Sequence, residues 1–135
     1  MDQQAWEAWI AQLDNVVREE SWGYSMFYVG DERMVPFVSI AASDSDYDSV
    51  SNLNRAGVFR LNIGVGRANF SRLFPDGTPS ELDYTTLNTL LPHPEYAAQN
   101  YVCILNPVGD MIEETKALIA DAHNLVSARM RRTRG

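Results

Sequence analysis

A chain of 135 residues with 45% apolar and 21% charged residues has the size and make-up of one folded domain, residues 1–135, and not of a disordered segment. Eighteen acids against eleven bases give a net charge of −7, which argues against nucleic acid as a partner, because phosphate binding needs a positive surface. The only basic cluster is at the extreme C-terminus, where Arg129, Arg131, Arg132 and Arg134 gather.

The spacing of Trp6, Trp9, Ile10, Leu13, Val16 and Val17 predicts a first helix capped by Asp2 and fading at Ser21-Trp22-Gly23. A hairpin follows, with strands in "YSMFYV" and "PFVSIAA" separated by the turn cluster Gly30-Asp31-Glu32-Arg33. Pro36 belongs at the start or edge of its strand, since it has no N–H for a ladder. Residues 43–57 are rich in Ser, Asp and Asn and read as a long loop, a kind of segment that is often functional.

"VFRLNIGV" alternates cleanly. Phe59, Leu61, Ile63 and Val65 face one way, towards a core, and Val58, Arg60, Asn62 and Gly64 face the other. A short helix over "RANFSRLF" comes next, then the Pro75-Asp76-Gly77 turn. A helical turn within "SELDYTTLNTLLPHP" is expected to end at Pro92. "NYVCIL" is a last strand. A final helix from about Asp110 to Arg131 carries Met111, Ile112, Leu118, Ile119, Ala122, Leu125 and Val126 as its apolar stripe. Strands with short connections point to an α+β fold, an antiparallel sheet flanked by N- and C-terminal helices.

Cys103 is the only cysteine, which excludes an intrachain disulfide, and its apolar setting makes it a buried, inert thiol. No signal-peptide pattern opens the chain, and no apolar stretch approaches the roughly 20 residues that span a bilayer. A cytoplasmic location with no membrane partner is therefore expected. Lys116 is the only lysine among the bases, a usage that suggests a high-GC bacterial source.

Asp44, Asp46 and Asp48 alternate like the start of a calcium loop. Ser49 and Arg55 stand where that loop needs Gly and a bidentate Glu, so no metal is expected. Gly64 and Gly66 lack the third glycine and the βαβ unit of a dinucleotide fingerprint. No nucleophile elbow, Cys–His pair or phosphate loop is present, so no catalytic set and no cofactor is assigned. His123 reads as exposed on the last helix, whereas His93 is held between two prolines. The polar residues that remain form the candidate ligand site: Asn52, Arg55, Arg60, Asn62, His93 and Tyr96. If "HPEY" lies over the Arg60/Asn62 face, a cationic, amide-lined pocket for a carboxylate or phosphate results. The competing reading pairs Arg60 with an acid such as Asp83 or Glu95.

"SNLNRAGVFRLNIGV", "HPEY" and "YVCILNP" resemble the motifs S-N-L-x-R-x-G-V-F-R-L-N-I-G-V, H-P-x-Y and V-C-x-L-N-P of a bacterial domain-of-unknown-function family. The match runs from about Gly30 to Arg131, and its polar positions add Ser51 and Asn106 to the set above. The C-terminal third, with His123-Asn124-Leu125-Val126 where a Tyr is usual, is similar to the MmcQ/YjbR-like fold. That likeness implies a compact α+β domain, some relatives of which are suspected of binding DNA.

The leading expectation is a binding module for a small anionic ligand or a protein partner. Alternatives are a nucleic-acid binder of MmcQ/YjbR-like type and an enzyme with His93 as general base. The three tryptophans leave a homodimer open.

Overall fold

A computed structural model describes residues 1–134, with side chains described through Arg132. Helix α1 (Gln3–Ala11) is followed by strands β1 (Val16–Ser21), β2 (Tyr24–Val29), β3 (Val38–Ala41) and β4 (Arg60–Gly64). Helix α2 (Gly66–Leu73), strand β5 (Leu91–Pro92), a 3-10 turn (Ala97–Gln99), strand β6 (Tyr101–Leu105) and helix α3 (Asp110–Arg134) complete the chain. The six strands form one sheet in the order β1-β2-β3-β4-β6-β5, every neighbouring pair antiparallel. The α+β class expected from the sequence is the observed one. No helix among the described residues is long and apolar enough to cross a membrane.

Strand alternation gives the sheet two unlike faces. Phe27, Val38, Ile40, Leu61, Ile63, Val102 and Ile104 project to the face that α1 and α3 cover. There they meet Trp6 and Ile10 of α1 and Leu118, Ile119, Ala122 and Val126 of α3, all at most 8% exposed. The opposite face carries Tyr24, Met26, Ser39, Arg60, Asn62 and Cys103, as the register pairs Met26 with Ser39, Ser39 with Asn62, and Asn62 with Cys103. Among the described residues, the apolar cluster on this face, Ala41, Leu53 and Leu105, includes no helix residue. The loop of residues 42–59 folds back over part of this face and buries Ser51 and Leu53.

Four expectations need correction. The first helix does not run on to Val16 and Val17. It stops at Ala11, Asn15 turns the chain at φ 61°, and the two β-branched valines enter β1. Leu13, Val16 and Val17 fit a helical stripe, but Val16, Arg18 and Glu20 also fit a strand, and pairing with β2 decides between them. No helical turn precedes Pro92, which lies in the two-residue strand β5 at the sheet edge, where a missing N–H is harmless. His123 is not exposed. It is 8% accessible, with Nε2 at 2.6 Å from the Asp14 carbonyl and its ring edge-on to Phe37. Leu125, expected in the apolar stripe of α3, is 49% exposed and leans over Gly66.

The β1–β2 hairpin closes through Trp22 and Gly23, at φ 57° and 82°. Two left-handed residues in a two-residue loop match a type I′ turn, whose usual first residue is Asn or Asp. A tryptophan in that position is strained, and at 82% exposure its ring gains little burial in return. Trp22→Asn should therefore stabilise the protein by about 1 kcal/mol in urea unfolding. A loss of stability instead would mean that the indole makes packing contacts that outweigh the strain.

Candidate functional site

On the face opposite α1 and α3, a strand arginine has been taken wholly out of solvent. Arg60 is 0% exposed. Its Nε donates to Asn62 Oδ1 at 2.9 Å, its Nη1 to Asp48 Oδ1 at 3.1 Å and to Ser51 Oγ at 3.0 Å, and its Nη2 to Asp48 Oδ2. Asp48 and Ser51 come from the loop before the strand, so the guanidinium ties that loop to the sheet. The fork-to-fork geometry with a carboxylate is the strongest pairing open to a buried arginine. Tyr24 donates its hydroxyl to the same Asp48 Oδ2. Asn62 passes the network on, its Nδ2 donating to Ser39 Oγ at 3.1 Å.

The electrostatics follow from this arrangement. Burial pushes the Asp48 carboxyl up, but hydrogen bonds from Arg60 and Tyr24, and the charge of Arg60, outweigh it and hold the group below the ordinary carboxylate range. Burial alone would lower Arg60. The Asp48 hydrogen bond and charge overcome that and leave it raised and fully charged. Tyr24 is pushed up to about 12 by burial and by Asp48, and Cys103, beneath the same network, to about 12 by burial. Cys103 is thus the inert thiol that its apolar surroundings suggested.

His93 stands next to this network. Its Nδ1 accepts from the backbone N–H groups of Glu95 (3.0 Å) and Tyr96 (3.1 Å), which pins the ring in the Pro92–Pro94 turn. Burial and the nearby Arg60 charge bring its pKa down to about 4, so the ring is neutral. With Nδ1 accepting, the proton resides on Nε2. That nitrogen has no protein partner among the described residues and is a donor, not a base. Tyr96 and Tyr101 pack around the imidazole with centroids 5.1 and 6.5 Å away.

A groove of about 1100 Å³ opens over these groups. Ser39, Asp48, Asn62 and His93 lie along its polar part. It runs past Pro36 and Gly64, at the sheet end, to Leu125, Val126 and Arg129 of α3. Of the six residues singled out from the sequence, Asn62, His93 and Tyr96 line this groove and Arg60 lies directly beneath it. Asn52 and Arg55 lie elsewhere. Arg55 clamps the loop to itself and to its neighbour, donating to the carbonyls of Asn52, Ser51 and Thr85. Asn106 also has an architectural contact, accepting from Phe59 N–H and donating to the Gly57 carbonyl.

The pocket is not cationic in the way the sequence suggested. Arg60 is committed to Asp48, and its partner is neither Asp83 nor Glu95. The groups that sequence reasoning passed over are Asp48, Ser39 and Tyr24. A usable signal existed for Asp48, since an arginine on a central strand needs a carboxylate and the adjacent loop supplies three. Nothing in the spacing singles out Ser39 or Tyr24, whose roles arise from strand register.

The His93 shift has a testable sign. Its folded pKa is depressed below the unfolded value near 6.5, so the unfolded chain binds the extra proton first. The favourable contribution is present above about pH 6.5 and is lost as pH falls towards about 4, by roughly 3 kcal/mol. His93→Asn keeps an acceptor for the two N–H groups without a titrating ring. Urea titrations between pH 4 and 7 should show a shallower loss of stability in the variant than in the wild type. Parallel pH curves would contradict a neutral buried His93.

No curated protein and no solved structure matches the chain. A family model described as "Family of unknown function (DUF6194)" matches residues 1–135. The whole chain, with its loop-to-strand arginine network and the groove above it, belongs to the DUF6194 family of unknown function.

Proposed function

We propose that the protein is a binding module whose groove takes a small ligand with an acceptor headgroup, a carboxylate by preference, and an apolar body. The observation that carries this reading is the row of uncommitted donors on the groove floor. His93 offers Nε2–H, Asn62 retains a second amide hydrogen, and the Ser39 hydroxyl accepts from Asn62 with its own hydrogen left to donate. Hydrogen bonds to a charged acceptor are about twice as strong as neutral ones. The Arg60–Asp48 pair beneath is internally neutralised, so the headgroup meets neutral donors and not a bare cation. Around them Met26, Pro36, Phe37 and Tyr101 supply apolar wall. Few polar groups inside a mostly apolar concavity is the usual composition of a small-molecule site.

The same observations speak against His93 as a general base, because its unprotonated nitrogen, Nδ1, already accepts from two backbone N–H groups. A nucleic-acid role would rest on the net charge being locally overcome at the C-terminal arginines. Arg131 and Arg132 are exposed, and the side chain of Arg134 lies outside the described residues. The MmcQ/YjbR-like likeness rests on the sequence alone and adds no residue to the groove. A protein partner would use the groove's outer rim in place of its floor.

A thermal-shift screen of small carboxylates, phosphates and their uncharged amides tests the reading. Carboxylates should raise the melting temperature in a concentration-dependent way, and His93→Asn should reduce that rise at least several-fold. Equal shifts in wild type and variant, or no shift with any probe, would overturn it.

A further inference from the structure

The floor of the groove is polar, but its mouth is aromatic. Trp22 is 82% exposed, Tyr47 84% and Tyr96 53%, and all three line the groove. They come from separate places: the β1–β2 turn, the loop that carries Asp48, and the turn that carries His93. Each is tied to the floor. Trp22 lies two residues before Tyr24, which bonds Asp48; Tyr47 immediately precedes Asp48; and the N–H of Tyr96 donates to His93. Behind Tyr96, Tyr101 lies at 6.3 Å between centroids and is fixed by donating its hydroxyl to the Pro36 carbonyl at 2.6 Å.

One of these rings is held against its backbone preference. Trp22 occupies a left-handed turn position where Asn would be relaxed. Residues kept in such strained conformations concentrate at ligand clamps. Flat π faces favour offset or edge-on contact with another ring over contact with a saturated chain.

We infer that the groove selects a planar aromatic carboxylate, its ring lying between the aromatic side chains of the mouth and its carboxylate directed at the Ser39–Asn62–His93 donors. This rests on the ligand-site reading above and narrows it to a class. Aliphatic acids of the same charge lack the ring contacts, and uncharged arenes lack a headgroup for the donors.

The test uses the full-length protein and three matched probes: 2-naphthoate, its fully saturated decalin carboxylate, and 2-naphthamide. Trp22 is the most exposed indole, as Trp6 is fully buried and Trp9 half-buried, so tryptophan fluorescence reports at the mouth of the wild type and of Tyr47→Ala, and calorimetry reads every protein, Trp22→Asn included. Naphthoate is expected to bind at least tenfold more tightly than either of the others. Trp22→Asn, which should fold at least as well as the wild type, is expected to weaken naphthoate at least fivefold, and by a clearly larger factor than it weakens the saturated acid, with Tyr47→Ala as an independent second variant. Equal affinity for naphthoate and the saturated acid, or full naphthoate affinity in both variants, overturns the aromatic selectivity while the ligand site stands. Binding of none of the three overturns both.

Discussion

The ion pair between Arg60 and Asp48 is the interaction on which the sheet face opposite α1 and α3 depends. A guanidinium with no solvent access is tolerable only when its donors are matched, and here Asp48, Ser51 and Asn62 match them. Two of those partners belong to a loop with almost no regular structure of its own. The pair thus does for the second face what α1 and α3 do for the first: it supplies a cover. Burial there comes largely through a polar knot, with a small apolar cluster of Ala41, Leu53 and Leu105, flanked by Tyr24 and Val58, beside it.

Because the pair is internally neutral, the proposed ligand would meet the outer hydrogens of Asn62 and Ser39 and the one on His93. Each is oriented by a bond on its other side: Asn62 by Arg60, Ser39 by Asn62, His93 by the N–H groups of Glu95 and Tyr96. Preorganised donors of this kind lose little freedom when a ligand arrives. The same loop carries Tyr47 to the mouth, so the structural tie and the proposed specificity are placed by one segment.

Much of this was legible in the sequence. The alternation of "FRLNIGV" shows at once which residues meet the core and that Arg60 and Asn62 share the other face. The prolines around His93 mark a fixed imidazole, and the long polar loop before the strand marks an unusual segment. What could not be read was which acid Arg60 would take. That choice depends on how the loop folds back, and Asp48 is reached through three-dimensional closure rather than periodicity. The β1 strand was hidden because Val16 and Val17 satisfy a helical stripe as well as a strand, and only the pairing with β2 separates the two. His123 was misplaced for a related reason, since its partner, the Asp14 carbonyl, is 109 residues away in the chain.

The central claim is that Arg60 and Asp48 act as one unit that holds the loop on the sheet. A double-mutant cycle with Asp48→Asn, Arg60→Met and the double variant, followed by urea unfolding at pH 7, measures it directly. Each single change should be costly, Asp48→Asn most of all, because it strands a buried cation at a cost of about 3–5 kcal/mol. The double variant should be less destabilised than the sum of the two by at least about 2 kcal/mol. Additivity within about 0.5 kcal/mol would mean that the two groups do not depend on each other, and would contradict the account.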